Sequence, residues 1–160
     1  MTFGFTEKLD KGSLLLIFIT ITLFYLSVAW EFITTSPNFN LILTILGTTS
    51  LTAGFLLRVI AHNNLKENFH YAVKINHNHT LITDNIHKYI RHPMYTGMFL
   101  LLLGIALIFS SSYGVAILIL LVTPVGIYRT IVEERALTKH FGNDYVNYCY
   151  VTKRFIPYIL

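Results

Sequence analysis

The stretch Arg91-His92-Pro93-Met94-Tyr95-Thr96-Gly97 decides the fold, because it sets polar, proline-broken backbone directly against a long apolar run. Between His92 and Tyr128 there is no Asp, Glu, Lys or Arg. A bilayer core about 30 Å thick needs about 20 apolar residues per helix, so this run is too long for one span and suits two. We expect the bend at 110–114, where three serines precede Tyr and Gly. The sequence therefore predicts a tight helical hairpin whose ends return to the same side.

Two further apolar segments precede this hairpin. They run uncharged from Gly12 to Trp30 and from Phe39 to about Leu57, separated by the breaker Ser36-Pro37-Asn38. The first is longer than the apolar core of a secretory signal and no small-x-small cleavage site follows it, so we expect a retained helix. A content of 54% hydrophobic and 12% charged residues is typical of an integral membrane protein. The predicted fold is an all-α integral membrane protein with about four transmembrane helices, in a single domain of residues 1–160.

The positive charges are distributed on one side of this topology. All twelve Lys and Arg lie in the amino-terminal segment, between Arg58 and Arg91, or from Arg129 onward, and none lies in the predicted turns. The positive-inside rule then places both termini and the 58–93 connection in the cytoplasm. We expect the membrane to be the plasma or inner membrane if the protein is bacterial and the endoplasmic reticulum if it is eukaryotic. Juxtamembrane charge facing anionic lipid explains the net charge of +4. We therefore expect the bilayer as a partner, and neither nucleic acid nor an obligate protein partner.

Polar sequence flanks the hairpin on both sides. Residues 1–62 hold the two amino-terminal spans, and 63–88 form a cytoplasmic loop rich in His and Asn. After the hairpin, four large apolar side chains recur at spacings of four, four and three residues, which is one face of a helix. These are Leu137, Phe141, Tyr145 and Tyr148. The pattern predicts an amphipathic helix on the cytoplasmic membrane surface that ends before Pro157.

Two charged elements border the hairpin, and each has a structural and a functional interpretation. In Arg91-His92-Pro93, Arg is a topology anchor and Pro suits a first helical turn, but that turn also offers N–H groups and a positive dipole end to a carboxylate. Glu133-Glu134 is either solvated acid or, with Arg129 one turn earlier, one face of a charged pocket. Between these elements, Pro124 and Gly126 indicate either a tolerated kink or a lateral gap between spans. The residues alone leave these alternatives open.

The seven histidines invite comparison with zinc sites. They lack the short Cys/His or His-Glu-x-x-His spacings that make such an assignment specific, so we expect no metal site. Glycine-rich phosphate loops and serine nucleophile elbows are also absent. Solvated or cofactor-contacting roles suit these histidines better.

Three segments resemble the carboxy-terminal half of the isoprenylcysteine carboxyl methyltransferase family and its phospholipid methyltransferase relatives. They are 80–83, 89–97 with its Arg-His-Pro-x-Tyr element, and 133–157 with Glu-Glu, Phe-Gly-x-x-Tyr-x-x-Tyr and Arg-Phe-Ile-Pro. The resemblance covers roughly residues 72 to 158. The elements occur in the family's order, which makes the combination more specific than any one of them.

The resemblance implies a cytoplasmic pocket for S-adenosylmethionine and its product S-adenosylhomocysteine. It implies that Arg129 binds the substrate and is the catalytic residue. The implied cofactor contacts are His79, Thr80, Leu81, Ile82, His87, His92, Pro93, Met94, Tyr95 and Glu133. The chain departs from the family at 85–87, where Asn-Ile-His replaces the usual Gly-x-Tyr and puts His87 at an aromatic position.

The chemistry depends on the methyl acceptor. A carboxylate is ionised at pH 7 and needs no base, so Arg129 would hold it by a charge-assisted fork. An amine or thiol must lose a proton, which His87 or His92 would accept. We expect O-methylation of a C-terminal prenylcysteine or similar lipid-like acceptor, with phospholipid N-methylation or thiol S-methylation as alternatives. An NADPH-dependent sterol-type reductase and a non-catalytic membrane protein are the rivals from other classes.

Overall fold

The computed structural model describes residues 3–35, 40–65 and 81–157, and every regular element in these ranges is helical. The helices are α1 (Phe3–Thr35), α2 (Leu41–Leu65), α3 (Pro93–Ile108), α4 (Ser112–Ile117), α5 (Thr123–Phe141) and α6 (Asn143–Val151). A 3₁₀ turn, Asn85–Lys88, precedes α3, and a π-helical segment, Leu118–Val122, joins α4 to α5.

Among the described residues, three helical stretches are long and apolar enough to cross a bilayer. They are Gly12–Thr35, Leu41–Leu65 and Ser112–Phe141, and the shorter apolar helix α3 makes a fourth. Large apolar side chains cover their outer surfaces, as at Phe18, which is 71% exposed. Such a surface would be unstable in water and suits lipid. The predicted all-α membrane architecture with four spans is therefore confirmed.

Glycines bring α2 and α3 into close contact. Gly47 faces Gly104, and one heptad along the antiparallel pair Gly54 faces Gly97. A Cβ on Gly104 would lie 2.6 Å from the carbonyl oxygen of Gly47, which is closer than any side chain tolerates. Close backbone approach through small residues is a principal mode of helix association in membranes. This seam anchors α3, which carries the Arg-His-Pro-x-Tyr element, to α2.

The apolar core joins α1 to the hairpin. Phe24 and Val28 of α1 are buried against Leu102 of α3 and against Leu118 and Val122 of the π segment. Helix α1 also runs along α4 and α5. The four spans therefore form one bundle, in which α3 contacts α2 on one side and the core on the other.

The hairpin turn lies where the serines predict it. Helix α3 ends at Ile108, and Ser111 caps α4, accepting a hydrogen bond from the Gly114 N–H at 2.9 Å. The Glu31 carboxylate of α1 reaches the same turn and accepts hydrogen bonds from the Ser111 hydroxyl at 2.6 Å and the Tyr113 N–H at 3.0 Å. A negative charge at a helix amino terminus stabilises it. Glu31 thus ties α1 to the hairpin at the end opposite the Glu133-Glu134 pair.

The predicted surface helix differs in form. It is divided at Gly142, whose φ of +57° is a conformation that favours glycine, and α6 ends at Val151, well before Pro157. Tyr145 and Tyr148 are only 2% and 7% exposed. The aromatic stripe therefore faces the protein interior, and the break at Gly142 turns α6 back toward the start of α3.

The π-helical segment lies directly before Pro124. The Thr123 N–H donates to the Leu118 carbonyl, five residues back, so the wide turn occurs where proline interrupts the ordinary ladder. A Cβ on Gly126 would meet nothing within 4 Å. The kink interpretation of Pro124 thus has a structural counterpart, and the lateral-gap interpretation stays a prediction.

Candidate active site

The segment after α6 lies alongside the start of α3. The Arg91 N–H donates to the Lys153 carbonyl at 2.8 Å, and the His92 N–H donates to the Arg154 carbonyl at 3.0 Å. One turn into α3, the Thr96 hydroxyl donates to the Phe155 carbonyl at 3.0 Å. These bonds bring the Arg-Phe-Ile-Pro element against the Arg-His-Pro-x-Tyr element. Two of the three family-like segments therefore meet in space.

Glu134 connects three parts of this region. Its carboxylate accepts hydrogen bonds from Arg91 Nε at 3.0 Å, His92 Nε2 at 3.2 Å and Arg154 Nε at 3.1 Å. Arg154 also donates through Nη2, which makes the pair a bidentate fork. The Glu134 side chain is 13% exposed. It thereby joins α5 to the start of α3 and to the segment after α6.

Glu133 points into a different set of contacts. The Tyr95 hydroxyl donates to Glu133 Oε2 at 3.0 Å and also interacts with the Arg129 guanidinium. Arg129 is 3% exposed and donates from Nη1 to the Ser13 hydroxyl of α1 at 2.6 Å. A buried arginine in an apolar bundle is costly and marks a functional site by default. Arg129, Tyr95 and Glu133 form what we call the charged triad, drawn from α3 and α5.

His87 lies in the 3₁₀ turn before α3 and is held from two sides. Its Nδ1 is 3.0 Å from the Asn64 side-chain nitrogen of α2, and its backbone carbonyl accepts a hydrogen bond from the Tyr148 hydroxyl of α6 at 2.6 Å. Burial lowers the pKa of His87 from 6.5 to about 4, and the nearby His92 acts in the same direction. His87 is therefore neutral at pH 7.

Most of the predicted site residues converge at this end of the bundle. Pro93 opens α3 with His92 just before it, and His92 in turn lies close enough to His87 to influence its charge. Leu81 and Ile82 are half-buried in the extended segment that leads into the 3₁₀ turn, whereas His79 and Thr80 lie outside the described residues. The residues brought together are His87, His92, Pro93, Met94, Tyr95, Arg129 and Glu133. Their individual roles stay predictions.

Sequence reasoning missed how the polar network is connected. It interpreted Arg91 as a topology anchor, left Glu134 as solvated acid or part of a charged pocket, and quoted Arg154 only within the resemblance. The structure makes Glu134 the common partner of both arginines. The family-like segments did contain a signal for this ion-pair network, because two arginines beside an apolar bundle call for an acidic partner. Asn64 carried no such signal, since its contact with His87 spans 23 positions.

The polar groups left over at this end fit the cofactor that the resemblance implies. Within the described ranges, Glu133 Oε1 forms no hydrogen bond, and the buried Tyr145 hydroxyl has no hydrogen-bond partner. In the first turn of α3, the Tyr95 and Thr96 N–H groups already donate to the His92 carbonyl and Pro93 has no N–H, so Met94 carries the N–H that remains for a ligand among the described residues. S-Adenosylmethionine carries an ammonium group, a carboxylate and ribose hydroxyls. These groups match a site that offers one anion and hydrogen-bond donors. Residues 3–35, 40–65 and 81–157 contain no group of three metal-ligating side chains close enough to hold an ion.

The fold and this site define a polytopic α-helical membrane protein with a network of buried charged and polar side chains at one end of its bundle. The sequence pattern of the phospholipid methyltransferase family matches residues 42–144. The match covers more than half of the chain, and the protein belongs to this family. The predicted resemblance is thereby confirmed.

Individual relatives agree with this family. The chain is 32% identical over 121 residues to protein-S-isoprenylcysteine O-methyltransferase of Schizosaccharomyces pombe, covering 70% of this chain and 50% of that protein. The enzyme of the same name from Saccharomyces cerevisiae is 28% identical over 118 residues, covering 72% and 49%. The chain thus spans about half the length of these relatives.

A solved structure shares the fold. The eukaryotic intramembrane Ras methyltransferase, isoprenylcysteine carboxyl methyltransferase, superposes with a TM-score of 0.66 at 22% identity. The alignment covers 88% of this chain and 52% of that one. The four-span bundle described above is therefore a known membrane architecture.

Proposed function

We propose that the protein is an integral membrane methyltransferase that uses S-adenosylmethionine to O-methylate the carboxylate of a prenylcysteine or similar lipid-like acceptor. The observation that carries this proposal is the charged triad, in which a fully buried arginine meets a tyrosine and a glutamate at one end of an apolar bundle. Family membership and the names of the relatives support it.

The cofactor would lie between the 3₁₀ turn, the start of α3 and α5. When bound, S-adenosylmethionine supplies a methyl group that its sulfonium already activates. Among the described residues, Glu133 accepts a hydrogen bond through Oε2, which leaves Oε1 to accept one from an ammonium or ribose hydroxyl. The positive end of the α3 dipole favours a carboxylate. The protein's main task is then alignment, which can contribute effective molarities of about 10⁵ M or more.

Arg129 would bind the acceptor. Its planar guanidinium matches a carboxylate in a bidentate arrangement, and its contacts with Ser13 and Tyr95 fix its orientation. A carboxylate with a pKa near about 3.5 is ionised at pH 7, so the reaction requires no general base. The lipid-like portion would enter from the bilayer along the apolar faces of the spans.

Phospholipid N-methylation is the second candidate, and the family's name favours it. An amine acceptor must lose its proton before or during transfer. His87 is a poor base at pH 7 because its pKa is about 4, and His92 directs Nε2 at the Glu134 carboxylate. The low pKa of His87 and the hydrogen bond of His92 to Glu134 therefore favour the carboxylate acceptor.

Acceptor specificity tests the proposal directly. Purified protein in detergent is incubated with methyl-labelled S-adenosylmethionine and three acceptors: N-acetyl-S-farnesylcysteine, its methyl ester and phosphatidylethanolamine. We expect labelling of the free acid and none of the ester, whose carboxylate is blocked. Labelling of phosphatidylethanolamine alone would establish the second candidate, and labelling of the ester would exclude carboxylate methylation.

A further inference from the structure

Asn64, near the end of α2, is bonded to the turn that carries His87. Its Nδ2 lies 3.0 Å from His87 Nδ1, 3.1 Å from the Asp84 carbonyl oxygen and 3.4 Å from Asp84 Oδ1. Its Oδ1 accepts a hydrogen bond from Asn85 Nδ2 at 2.7 Å. Both Asp84 oxygens can only accept, so the amide nitrogen of Asn64 must face them. The amide orientation is therefore fixed by its neighbours.

This orientation determines the protonation of the His87 ring. An amide nitrogen only donates, so His87 Nδ1 must accept and cannot carry a hydrogen. The hydrogen of the neutral ring is then on Nε2. Nε2 forms no hydrogen bond with the described residues. It is also not one of the fully buried polar side-chain atoms without a partner there, which are the Ser110 and Tyr145 hydroxyls. Nε2 is therefore the His87 atom left to donate to a ligand, from a residue that is 5% exposed.

We propose that Asn64 is a positioning residue that holds His87 neutral with its hydrogen on Nε2, so that His87 meets the methyl donor as a hydrogen-bond donor and never acts as the base. The inference rests on the proposed function for the identity of the ligand. It gives His87 a defined role and adds Asn64 of α2 to a site that so far drew only Ser13 from the first half of the chain.

The surroundings of His87 oppose its protonation. A proton on Nδ1 would point at the amide hydrogens of Asn64, and His92 at the start of α3 also disfavours a positive ring. Asp84 favours the charged form, but burial outweighs it. From α6 the Tyr148 hydroxyl holds the His87 carbonyl, and burial raises the pKa of Tyr148 to about 12, which keeps it neutral. Tyr148 thus fixes the backbone of His87 and adds no charge beside its ring.

Nitrogen NMR of the purified protein in detergent, with labelled histidine, reads the tautomer without any ligand. His87→Gln identifies the signals by their loss. In the wild type we expect the hydrogen on Nε2 and no titration of His87 between pH 5.5 and pH 8. A hydrogen on Nδ1, or titration near about pH 6.5, would overturn the proposal. This test uses the wild type and does not depend on whether an Asn64 variant folds.

Asn64→Asp provides the complementary test. Its carboxylate accepts from Nδ1–H, so we expect the hydrogen to move to Nδ1 and the His87 titration to shift upward by about two pH units or more. Asn63→Asp is the matched control, because Asn63 is the exposed neighbour of Asn64 and its substitution adds the same charge. A His87 tautomer that is the same in Asn64→Asp as in the wild type would contradict the role of Asn64.

Binding connects the tautomer to the site. By calorimetry at pH 8, where the ring stays neutral and Nε2 has lost its hydrogen, Asn64→Asp should weaken S-adenosylhomocysteine binding by about tenfold, whereas Asn63→Asp should leave it within about twofold. Equal affinity in wild type and Asn64→Asp would overturn the role of His87 as donor. Failure of the wild type to bind at all would overturn the proposed function instead, while the NMR result would still decide the tautomer.

Discussion

Two adjacent glutamates at the end of the bundle have different surroundings. Glu134 shares its carboxylate among Arg91, His92 and Arg154, whereas in the described part of the chain Glu133 accepts one hydrogen bond, from Tyr95. Neighbouring residues of a helix point about 100° apart, so the two carboxylates face different sides of α5. Sequence and resemblance selected the pair and gave the cofactor to Glu133, but they could not show that Glu134 connects three separate segments.

Glu134→Gln should therefore destabilise the protein more than Glu133→Gln. The first change removes the carboxylate that two arginines share, and breaking a buried ion pair costs about 3 kcal/mol or more. Glu133→Gln keeps the Tyr95 hydroxyl supplied with an acceptor. Thermal unfolding of both variants in detergent measures the difference, and equal unfolding temperatures would contradict the assignment of Glu134 as the structural member of the pair.

Arg129→Ala should lower turnover on a farnesylcysteine acceptor by about 100-fold while S-adenosylhomocysteine affinity changes little, because the guanidinium is assigned to the acceptor. Arg129→Lys should recover only part of the activity, since an ammonium lacks the planar fork. Kinetics and calorimetry on the same preparations make the comparison. A loss of cofactor affinity as large as the loss of activity would indicate instead that Arg129 serves to hold Tyr95 and Glu133.

At the scale of helices, apolar runs and breakers were sufficient to predict the spans and the hairpin turn. They did not predict which helices pack together, because pairings such as Gly47 with Gly104 join residues far apart in sequence. The break at Gly142 was also missed. Its aromatic neighbours continue the helical spacing across it, and only the φ of +57° shows that the helix stops. Local pattern therefore fixes elements better than their arrangement.

Gly104→Ala tests the seam between α2 and α3. The added methyl would lie 2.6 Å from the Gly47 carbonyl oxygen, so the helices must separate, at a cost of about 1–3 kcal/mol. Gly126→Ala is the matched control, because nothing lies within 4 Å of its Cβ and alanine favours a helix by about 1 kcal/mol. Thermal unfolding should rank Gly126→Ala at or above the wild type and Gly104→Ala below it. The reverse order would contradict the seam.

For the whole molecule, charge and hydropathy predicted the class, and short motifs predicted the family. The candidate site could be predicted only in part, because Asn64 and Ser13 come from the first two spans, where the resemblance has no motif. Membrane sidedness rests on the distribution of Lys and Arg. It stays a prediction, and it decides whether the charged triad faces the cytoplasm.

Single cysteines report this sidedness. Burial raises the pKa of the Cys149 thiol, which makes it slow to react, so the background is Cys149→Ala. Tyr113→Cys at the exposed hairpin turn should react with a membrane-impermeant maleimide added to intact cells. Asn147→Cys, exposed on α6, should react only after the membrane is opened. Reaction of both before lysis would contradict the four-span topology.

Calorimetry with S-adenosylhomocysteine and with NADPH tests the central claim most directly, because the cofactor separates a methyltransferase from a membrane reductase or a non-catalytic protein. The purified wild type in detergent should bind S-adenosylhomocysteine and ignore NADPH. Glu133→Gln should bind it about 10- to 100-fold more weakly, the loss expected for one hydrogen bond to a charged group. Binding of NADPH, or the absence of S-adenosylhomocysteine binding to a protein that is still folded, would contradict the account.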